Sequence, residues 1–144
     1  MPHRRLREIV GSQELLHVPP ETTVMEAAKR MAERHVAAVL VVADGGLQGV
    51  FTERDLLRRV VVAGKDPSDV AVGDVMSRNP VTIAASEPGH EALRIMREEG
   101  IRHIVVHGVG AAGFAILSLR DFFSGEVAEA EQELDFQDRV WEEI

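Results

Sequence analysis

The stretch EAAKRMAERHVAAVLVV at residues 26–42 decides the fold, because a related stretch, EALRIMREEGIRHIVVH, returns at residues 91–107. The two stretches align at an offset of 65 residues, with glutamate, alanine and methionine meeting their counterparts. A second pair of blocks, GVFTERDLL at 49–57 and AILSLRDFF at 115–123, follows at an offset of 66. Two matching blocks in the same order indicate an internal duplication.

Each copy of the repeat predicts the same order of elements: a short strand, a helix with apolar residues at helical spacing, two strands joined by a turn, and a second helix. In the first copy these are Leu15–Val18, a helix through Val24, Ala27, Ala28 and Met31, Ala38–Val42, Val50–Thr52 and Asp55–Val62. In the second copy they are Val81–Ile83, a helix through Ala92, Leu93 and Met96, Ile104–Val106, Ala115–Ser118 and Asp121–Phe123. Asp44-Gly45-Gly46 predicts a hairpin turn, and Gly100 predicts a left-handed helix end.

This order, β-α-β-β-α given twice, predicts an α/β (α+β) fold. A copy of this size buries little apolar surface alone, so the two copies are expected to pack as a pseudo-twofold intramolecular pair. The predicted division is a first domain at 8–63, a linker at 64–73, a second domain at 74–123 and an acidic amphipathic helix at 124–144.

Composition excludes several classes of function. The chain has no cysteine, which rules out disulfides and thiolate catalysis and fits a cytoplasmic protein. The tail from Ser124 onward carries eight acids and one base, while the rest of the chain is nearly neutral. Such a charge distribution disfavours nucleic-acid binding. The longest apolar run, Val36 to Ala43, is too short to span a membrane.

The residues that carry chemistry lie at the end of the last strand in each copy: Thr52-Glu53-Arg54-Asp55 and Ser118-Leu119-Arg120-Asp121. One interpretation is a capping box, in which the hydroxyl and the acid satisfy the start of a helix. The other is a ribose site, because an aspartate can accept strong hydrogen bonds from two sugar hydroxyls. No set of side chains indicates a catalytic nucleophile or an acid–base pair.

Three passages together resemble the cystathionine-β-synthase (CBS) domain: DVMSRNPVTI at 74–83, GIRHIVV at 100–106 and GVFTERDLL at 49–57. The resemblance covers roughly residues 8–123. It implies a pair of domains, often called a Bateman module, whose clefts bind AMP, ATP or another adenosyl compound. It also implies a homodimer and a regulatory rather than a catalytic role.

The resemblance implies that Asp55 and Asp121 bind ribose, with Thr52 and Ser118 as their hydroxyl companions. The cleft of Asp55 would take Arg102 and His103 from the second copy, and the cleft of Asp121 would take Leu16, Val18 and Val36 from the first. Because Ala37 and Ala38 stand where the second copy has its basic pair, the cleft of Asp55 is expected to be the better one. The implied ligand-binding residues are Thr52, Arg54, Asp55, Val81, Ile101, Arg102, His103, Ser118 and Asp121.

Three other features have alternative interpretations. Gly108 to Gly113 matches the dinucleotide-binding glycine pattern, but a strand rather than a helix follows, which favours a flexible hairpin. His103 and His107 lie too far apart along a strand to share a metal ion, so no metal is expected. The tail at 124–144 can dock on its own domain, cross a dimer interface or contact a partner protein.

The sequence therefore predicts a sensor of adenine nucleotides with no enzymatic activity and no required cofactor. The alternative from another class is a ligand-free dimerising adaptor that acts through protein–protein contacts.

Overall fold

The computed structural model describes residues 4–11, 16–109 and 113–122. It divides the chain into two compact units. The first unit contains residues 16–80, and the second joins the N-terminal residues to those from Val81 onward. The helices are α1 (Leu6–Val10), α2 (Val24–Arg34), α3 (Glu53–Asp55, continued by a π-helical segment at Leu56–Val61), α4 (Val72–Val75) and α5 (Gly89–Glu99), with a 3₁₀ turn at Leu119–Phe122. The strands are β1 (His17–Val18), β2 (Ala38–Ala43), β3 (Gly46–Thr52), β4 (Ser77–Arg78), β5 (Thr82–Ala84), β6 (His103–His107) and β7 (Phe114–Ser118).

The sheet of the first unit has the order β1-β2-β3-β4. Strand β1 runs parallel to β2, and the other neighbours are antiparallel. A two-residue turn joins β2 to β3, since Ala43 pairs with Gly46 and both Asp44 and Gly45 have positive φ. Positive φ at both central residues is what a type I′ hairpin turn requires, so the predicted hairpin is confirmed.

The sheet of the second unit has three strands among the described residues, in the order β5-β6-β7. Strand β5 runs parallel to β6, and β6 runs antiparallel to β7. Gly108 and Gly113 close the β6–β7 connection through a backbone hydrogen bond of 3.0 Å, and both have positive φ. Because β7 follows these glycines directly, the dinucleotide-binding interpretation is wrong for this segment.

The two long helices present their apolar residues to the sheet of their own unit. In α2 the buried residues Val24, Ala27 and Met31 recur at helical spacing, and the hydroxyl of Thr23 accepts a hydrogen bond from the backbone of Glu26 at 3.1 Å. The corresponding helix α5 ends at Gly100 in the left-handed conformation, as predicted, and buries Ala92, Leu93 and Met96.

The segment predicted as a linker, 64–73, is bonded to the start of α2. The carbonyl oxygens of Val70 and Pro67 accept hydrogen bonds of 2.9 Å from the first two backbone N–H groups of α2, and Thr23 bridges to Ala71. The backbone of Gly73 donates to the carbonyl of Pro20 at 2.9 Å. This segment therefore caps a helix of the first unit.

In the second unit, the N-terminal residues are bonded to the start of α5 in the same way. Arg5 bridges to Pro88 beside the start of α5, and the backbone of Gly89 donates to the carbonyl of Arg4 at 2.9 Å. Arg5 and Ala71 lie one repeat apart in sequence, as do Thr23 and Pro88. Each short helix that leads a repeat thus packs on the other repeat's unit, which is why the compact units have different bounds from the sequence repeats.

Each unit has its own hydrophobic core. The core of the first unit consists of Val18, Val24, Ala27, Met31, Val39, Val41, Phe51, Val60, Val72, Val75 and Met76. The core of the second unit consists of Leu6, Val10, Ile83, Ala85, Ala92, Leu93, Met96, Ile104, Val106, Ala115, Leu117 and Phe122. The predicted α/β (α+β) class and its two β-α-β-β-α repeats are confirmed. Their packing as a pseudo-twofold pair stays a prediction.

In the described ranges, no helix combines the length and the apolar composition that crossing a bilayer requires. The acidic helix predicted at 124–144 lies outside the described residues, as do Leu15 and Phe123.

Candidate functional site

The motif of the first unit lies where β3 runs into α3. Oδ2 of Asp55 accepts hydrogen bonds from the backbone N–H of Thr52 at 3.0 Å and from its hydroxyl at 3.2 Å. The hydroxyl of Thr52 in turn accepts a hydrogen bond from the backbone of Asp55 at 3.2 Å. The two residues form a reciprocal capping box, so the structural interpretation of this motif is confirmed.

The other carboxylate oxygen of Asp55 contacts two residues that the sequence did not predict for this site. Oδ1 accepts a hydrogen bond from the hydroxyl of Ser77 at 3.0 Å, and Nε of Arg59 lies 3.7 Å away. The guanidinium of Arg59 also donates to the carbonyl of Met76 at 2.8 Å. The spacing of Asp55 and Arg59, four residues apart on a helix, is a signal for an ion pair, whereas nothing local connects Asp55 to Ser77.

These contacts leave Asp55 almost fully buried, with 5% of its surface exposed. A carboxylate that is buried needs hydrogen-bond donors to replace the water it has lost; Thr52 and Ser77 supply them, and Arg59 adds an ion pair. Arg54, the other predicted residue of this motif, is exposed on α3.

The motif of the second unit has the same cap and a different environment. Oδ2 of Asp121 accepts hydrogen bonds from the backbone N–H of Ser118 at 2.7 Å and from its hydroxyl at 3.3 Å. Asp121 is exposed, and within the described residues no donor bonds to its Oδ1.

The predicted residues Arg102 and His103 lie beside this second motif. His103 pairs with Ser118 across the β6–β7 ladder, and the carbonyl of Arg102 accepts a hydrogen bond from the backbone of Leu119 at 3.1 Å. The side chain of Arg102 is exposed. At the matching place in the first unit, the carbonyl of Ala37 accepts from the backbone of Glu53 at 3.0 Å.

The remaining predicted residues have apolar surroundings. Val81 and Ile101 are partly buried and pack against the core of the second unit. In the first unit, Leu16 packs against the core, Val18 belongs to it, and Val36 is exposed. Each predicted cleft combines residues from both units, and these two groupings stay predictions.

Away from the motifs, an ion-pair cluster on α5 shifts the pKa values of its members. Glu91 on α5 accepts a hydrogen bond from Arg94, which also contacts Glu98 at 2.7 Å. The hydrogen bond from Arg94 holds the pKa of the Glu91 carboxyl below its ordinary value. Among the residues that the structure describes, no three His, Asp or Glu side chains gather closely enough to hold a metal ion.

The sequence also matches a known protein family. The family profile of the CBS domain matches the chain twice, over residues 6–62 and 72–124. The chain belongs to the CBS domain family. The resemblance stated from the sequence is therefore confirmed, and the two matches correspond to the two copies of the repeat.

The similarity extends to CBS proteins from distant organisms. An uncharacterized protein of Methanopyrus kandleri is 30% identical over 136 residues, covering 91% of this chain and 69% of its own length. The mitochondrial CBS domain-containing protein CBSX3 of Arabidopsis thaliana is 33% identical over 120 residues, covering 79% of this chain and 57% of its own length. The chain spans only 18% of another plant relative, CBSCBSPB1, to which it is 38% identical over 98 residues.

Solved structures show the same fold. The CBS domain protein from Pyrobaculum aerophilum complexed with AMP superimposes with a TM-score of 0.77. It is 28% identical, and the alignment covers 90% of this chain and 99% of that one. An uncharacterized conserved protein from Pyrococcus horikoshii gives a TM-score of 0.74 at 33% identity, covering 87% of this chain and 94% of the other.

Proposed function

We propose that this chain is a regulatory module that binds an adenine nucleotide, AMP, ATP or a related adenosyl compound, and has no catalytic activity of its own. The observation that carries the proposal is the repeated pairing of a hydroxyl with a carboxylate where a strand meets a helix, Thr52 with Asp55 and Ser118 with Asp121. A carboxylate held in this way can accept hydrogen bonds from a ribose diol.

Two further observations support the proposal. A CBS relative of similar length and 28% identity was crystallised with AMP. In this chain, the exposed guanidinium of Arg102 next to the second motif supplies positive charge suited to a phosphate. Val81 and Ile101 offer apolar surface for a purine. Because binding requires no proton transfer, the absence of an acid–base pair in the sequence agrees with a sensor.

The composition of the sequence supports proposals for the compartment, the cofactor requirement and the partner of the module. We propose that it acts in the cytoplasm, since the sequence contains no cysteine, and that it requires no cofactor beyond its ligand. The acidic tail at 124–144 is proposed as a surface for a partner protein and not for nucleic acid.

A second candidate function, a dimerising adaptor without ligand, is favoured by a separate observation. Leu57, Val61 and Val62 are exposed by 56%, 60% and 74% on the π-helical segment and just beyond it. Exposed apolar side chains grouped on one helix are typical of protein–protein contacts, and a second copy of the chain would cover them in a homodimer.

One experiment tests the sensor and separates it from the adaptor. Thermal shift and calorimetric titration with AMP, ATP, NAD and S-adenosylmethionine are carried out on the wild type and on Asp55→Asn/Asp121→Asn. A ligand that binds only the folded chain stabilises it by about 2.7 kcal/mol at 100 times its dissociation constant. We expect an adenosyl ligand to raise the melting temperature of the wild type and to lose this effect in the double variant.

The control is Asp44→Asn, which removes one exposed carboxylate from the β2–β3 turn at a position where asparagine tolerates the positive φ. This variant should respond to ligand like the wild type. A wild type that binds none of the four compounds contradicts the sensor. If its mass in sedimentation equilibrium is then that of a dimer, and Leu57→Ser/Val61→Ser gives monomers, the adaptor is the correct function.

A further inference from the structure

Three exposed apolar side chains of the first unit, Leu57, Val61 and Val62, form an apolar face on and just beyond the π-helical segment. We propose that the acidic tail at 124–144 of the same chain docks on this apolar face as an amphipathic helix. The inference goes beyond nucleotide binding and does not depend on it. Of the three positions that the sequence left open for the tail, it selects docking on its own chain.

The π-helical turn brings the three side chains together. The backbone N–H of Val62 donates to the carbonyl of Leu57 at 2.9 Å, a hydrogen bond that spans five residues instead of four. In this wider turn, the residues four and five positions after Leu57 both return to its side of the helix. Among the described residues, Val36 is the one other large apolar side chain that is exposed. Exposed apolar surface concentrated in this way is typical of a contact site.

Basic side chains border the apolar face. Residues 53–65 contain four bases and two acids, and one of the acids, Asp55, is buried. Arg54 and Arg58, four positions apart, are exposed, and so is Lys65. A helix face with an apolar centre and a basic border is complementary to an acidic amphipathic helix.

The sequence of the tail has the complementary pattern. Its apolar residues fall at the two seam positions of a heptad repeat: Val127, Ala130, Leu134, Trp141 and Ile144. Acids occupy most positions that border this seam: Glu126, Glu131, Glu133 and Asp138. Two such tails side by side would bring acids against acids, so the pattern disfavours pairing of one tail with another. A basic partner is required, and the apolar face has a basic border.

The lengths of the two segments are compatible with docking. At 1.5 Å per residue, the apolar face is less than about 10 Å long, and a helix from Leu134 to Ile144 is about 16 Å long. Residues 123–133 remain to connect this helix to Phe122, which is buried in the core of the second unit, and they span up to about 36 Å when extended. Because tail and face belong to one chain, their effective concentration is on the order of millimolar, which favours the chain's own tail over that of a second copy.

Docking would regulate both surfaces. The apolar seam of the tail and the apolar face would cover each other, so a partner protein that binds the tail has to displace it from the first unit. The same displacement would expose Leu57 and Val61. A homodimer through these residues is then available only to the chain whose tail has been released.

Trp141 reports on the proposed contact, because it is the only tryptophan in the chain and lies on the seam of the tail. Acrylamide quenching of its fluorescence is measured in the full chain at low salt, with the urea-unfolded chain as the reference for an exposed indole. We expect quenching in the wild type to be several-fold weaker than in the reference, and Leu57→Ser/Val61→Ser to approach the reference. Val36→Ser removes an exposed apolar side chain elsewhere in the first unit and should keep the wild-type value.

Arg58→Glu tests the basic border. This variant should increase the quenching of Trp141 at low salt, and high salt should increase it in the wild type, because salt screens exposed charges. Lys29→Glu, at an exposed position of α2, makes the same change of charge in the same unit and should leave the quenching unchanged. Equal quenching in Arg58→Glu and Lys29→Glu would contradict the proposed charge complementarity.

Dilution and sedimentation distinguish the other possible occupants of the apolar face. A contact within one chain predicts that the quenching of wild-type Trp141 is independent of protein concentration. If quenching increases on dilution while the mass falls from dimer to monomer, a second copy supplies the contact and the proposal is wrong. It is also wrong if Trp141 of the wild type is quenched like the unfolded reference, or if Leu57→Ser/Val61→Ser leaves a protected Trp141 protected. These outcomes hold whether or not the chain binds AMP, so they are separate from the test of the sensor.

Discussion

The motif in the first unit and the motif in the second share their cap but not their surroundings. In both, a hydroxyl residue at the end of a strand bonds to an aspartate three positions later. Asp55 is then buried and bonded to Ser77 of β4, whereas Asp121 is exposed. The comparison teaches that a duplicated motif fixes local geometry only. What the carboxylate can do depends on the residues that the rest of the chain brings to its second oxygen.

The first sheet has a fourth strand at the edge next to its motif, and a glycine makes room for it. Strand β3 is covered by β4, and at their closest approach a Cβ on Gly49 would lie 2.5 Å from the carbonyl oxygen of Ser77. The residue that matches Gly49 in the second copy is Ala115, on β7, which has no neighbour on that side among the described strands. The glycine is therefore the residue that admits β4.

The largest effect on this comparison is expected from Gly49→Ala. The new methyl group would collide with the backbone of Ser77 and the sulfur of Met76, and overpacking of this kind costs about 1–3 kcal/mol. The reciprocal change, Ala115→Gly, should cost only about 0.5–1 kcal/mol, because it adds backbone freedom and creates no collision. Urea denaturation measures both.

The control for this pair is Gly46→Ala on the same strand, where a Cβ would meet nothing nearer than the carbonyl of Ala43 at 3.8 Å. It should keep the denaturation midpoint of the wild type. Equal losses in Gly49→Ala and Gly46→Ala would show that strand β4 does not lie against β3 as described.

A smaller effect on stability is expected from the different N-terminal caps of the two long helices, α2 and α5. Helix α2 begins with the side-chain cap of Thr23, whereas α5 begins at Pro88, which has none. Thr23→Ala should cost about 1 kcal/mol of unfolding free energy, a typical value for losing such a cap. Thr22→Ala is the matched control, since no described group bonds to its hydroxyl. If both variants have the same midpoint, the cap does not stabilise α2.

The sequence predicted the parts of this fold that local signals specify. Asp44 and Gly45 form the expected turn, and Gly100 ends its helix, because each feature depends on the positive φ of one or two adjacent residues. The capping interpretation of the motifs at Asp55 and Asp121 was also accessible to the sequence, because each cap joins residues only three positions apart. The order of helices and strands was also predicted, because a hydrophobic pattern that is weak in one copy of the repeat can be checked against the same positions in the other copy.

The parts that were missed depend on contacts between residues distant in sequence. Helix α4 has only four residues, too few for a periodic pattern, and it forms where 67–73 cap α2. Ser77 lies 22 positions from Asp55, so no spacing rule connects their side chains. The burial of Asp55 depends in part on that contact, so the local motif could not reveal it.

The smallest expected effect on stability comes from the ion pairs on the surfaces of α2 and α5. On α2, Arg30 pairs with one acid of the described residues, Glu26, at 3.0 Å, while Arg94 on α5 contacts both Glu91 and Glu98. Because Arg94 lowers the pKa of Glu91 in the folded chain, the ionised form of Glu91 stabilises the fold at neutral pH. This contribution is lost as the pH falls from the ordinary value of a glutamate through the lowered value.

Glu91→Gln tests this contribution. The variant should melt slightly below the wild type at neutral pH, and the difference should shrink toward zero in acid, where both side chains are neutral, and at high salt, which screens exposed pairs. Glu33→Gln on α2 controls for the loss of one negative charge and should show neither trend. A difference that grows as the pH falls would have the wrong sign for a carboxylate stabilised in its charged form, and it would remove the distinction between the two helices.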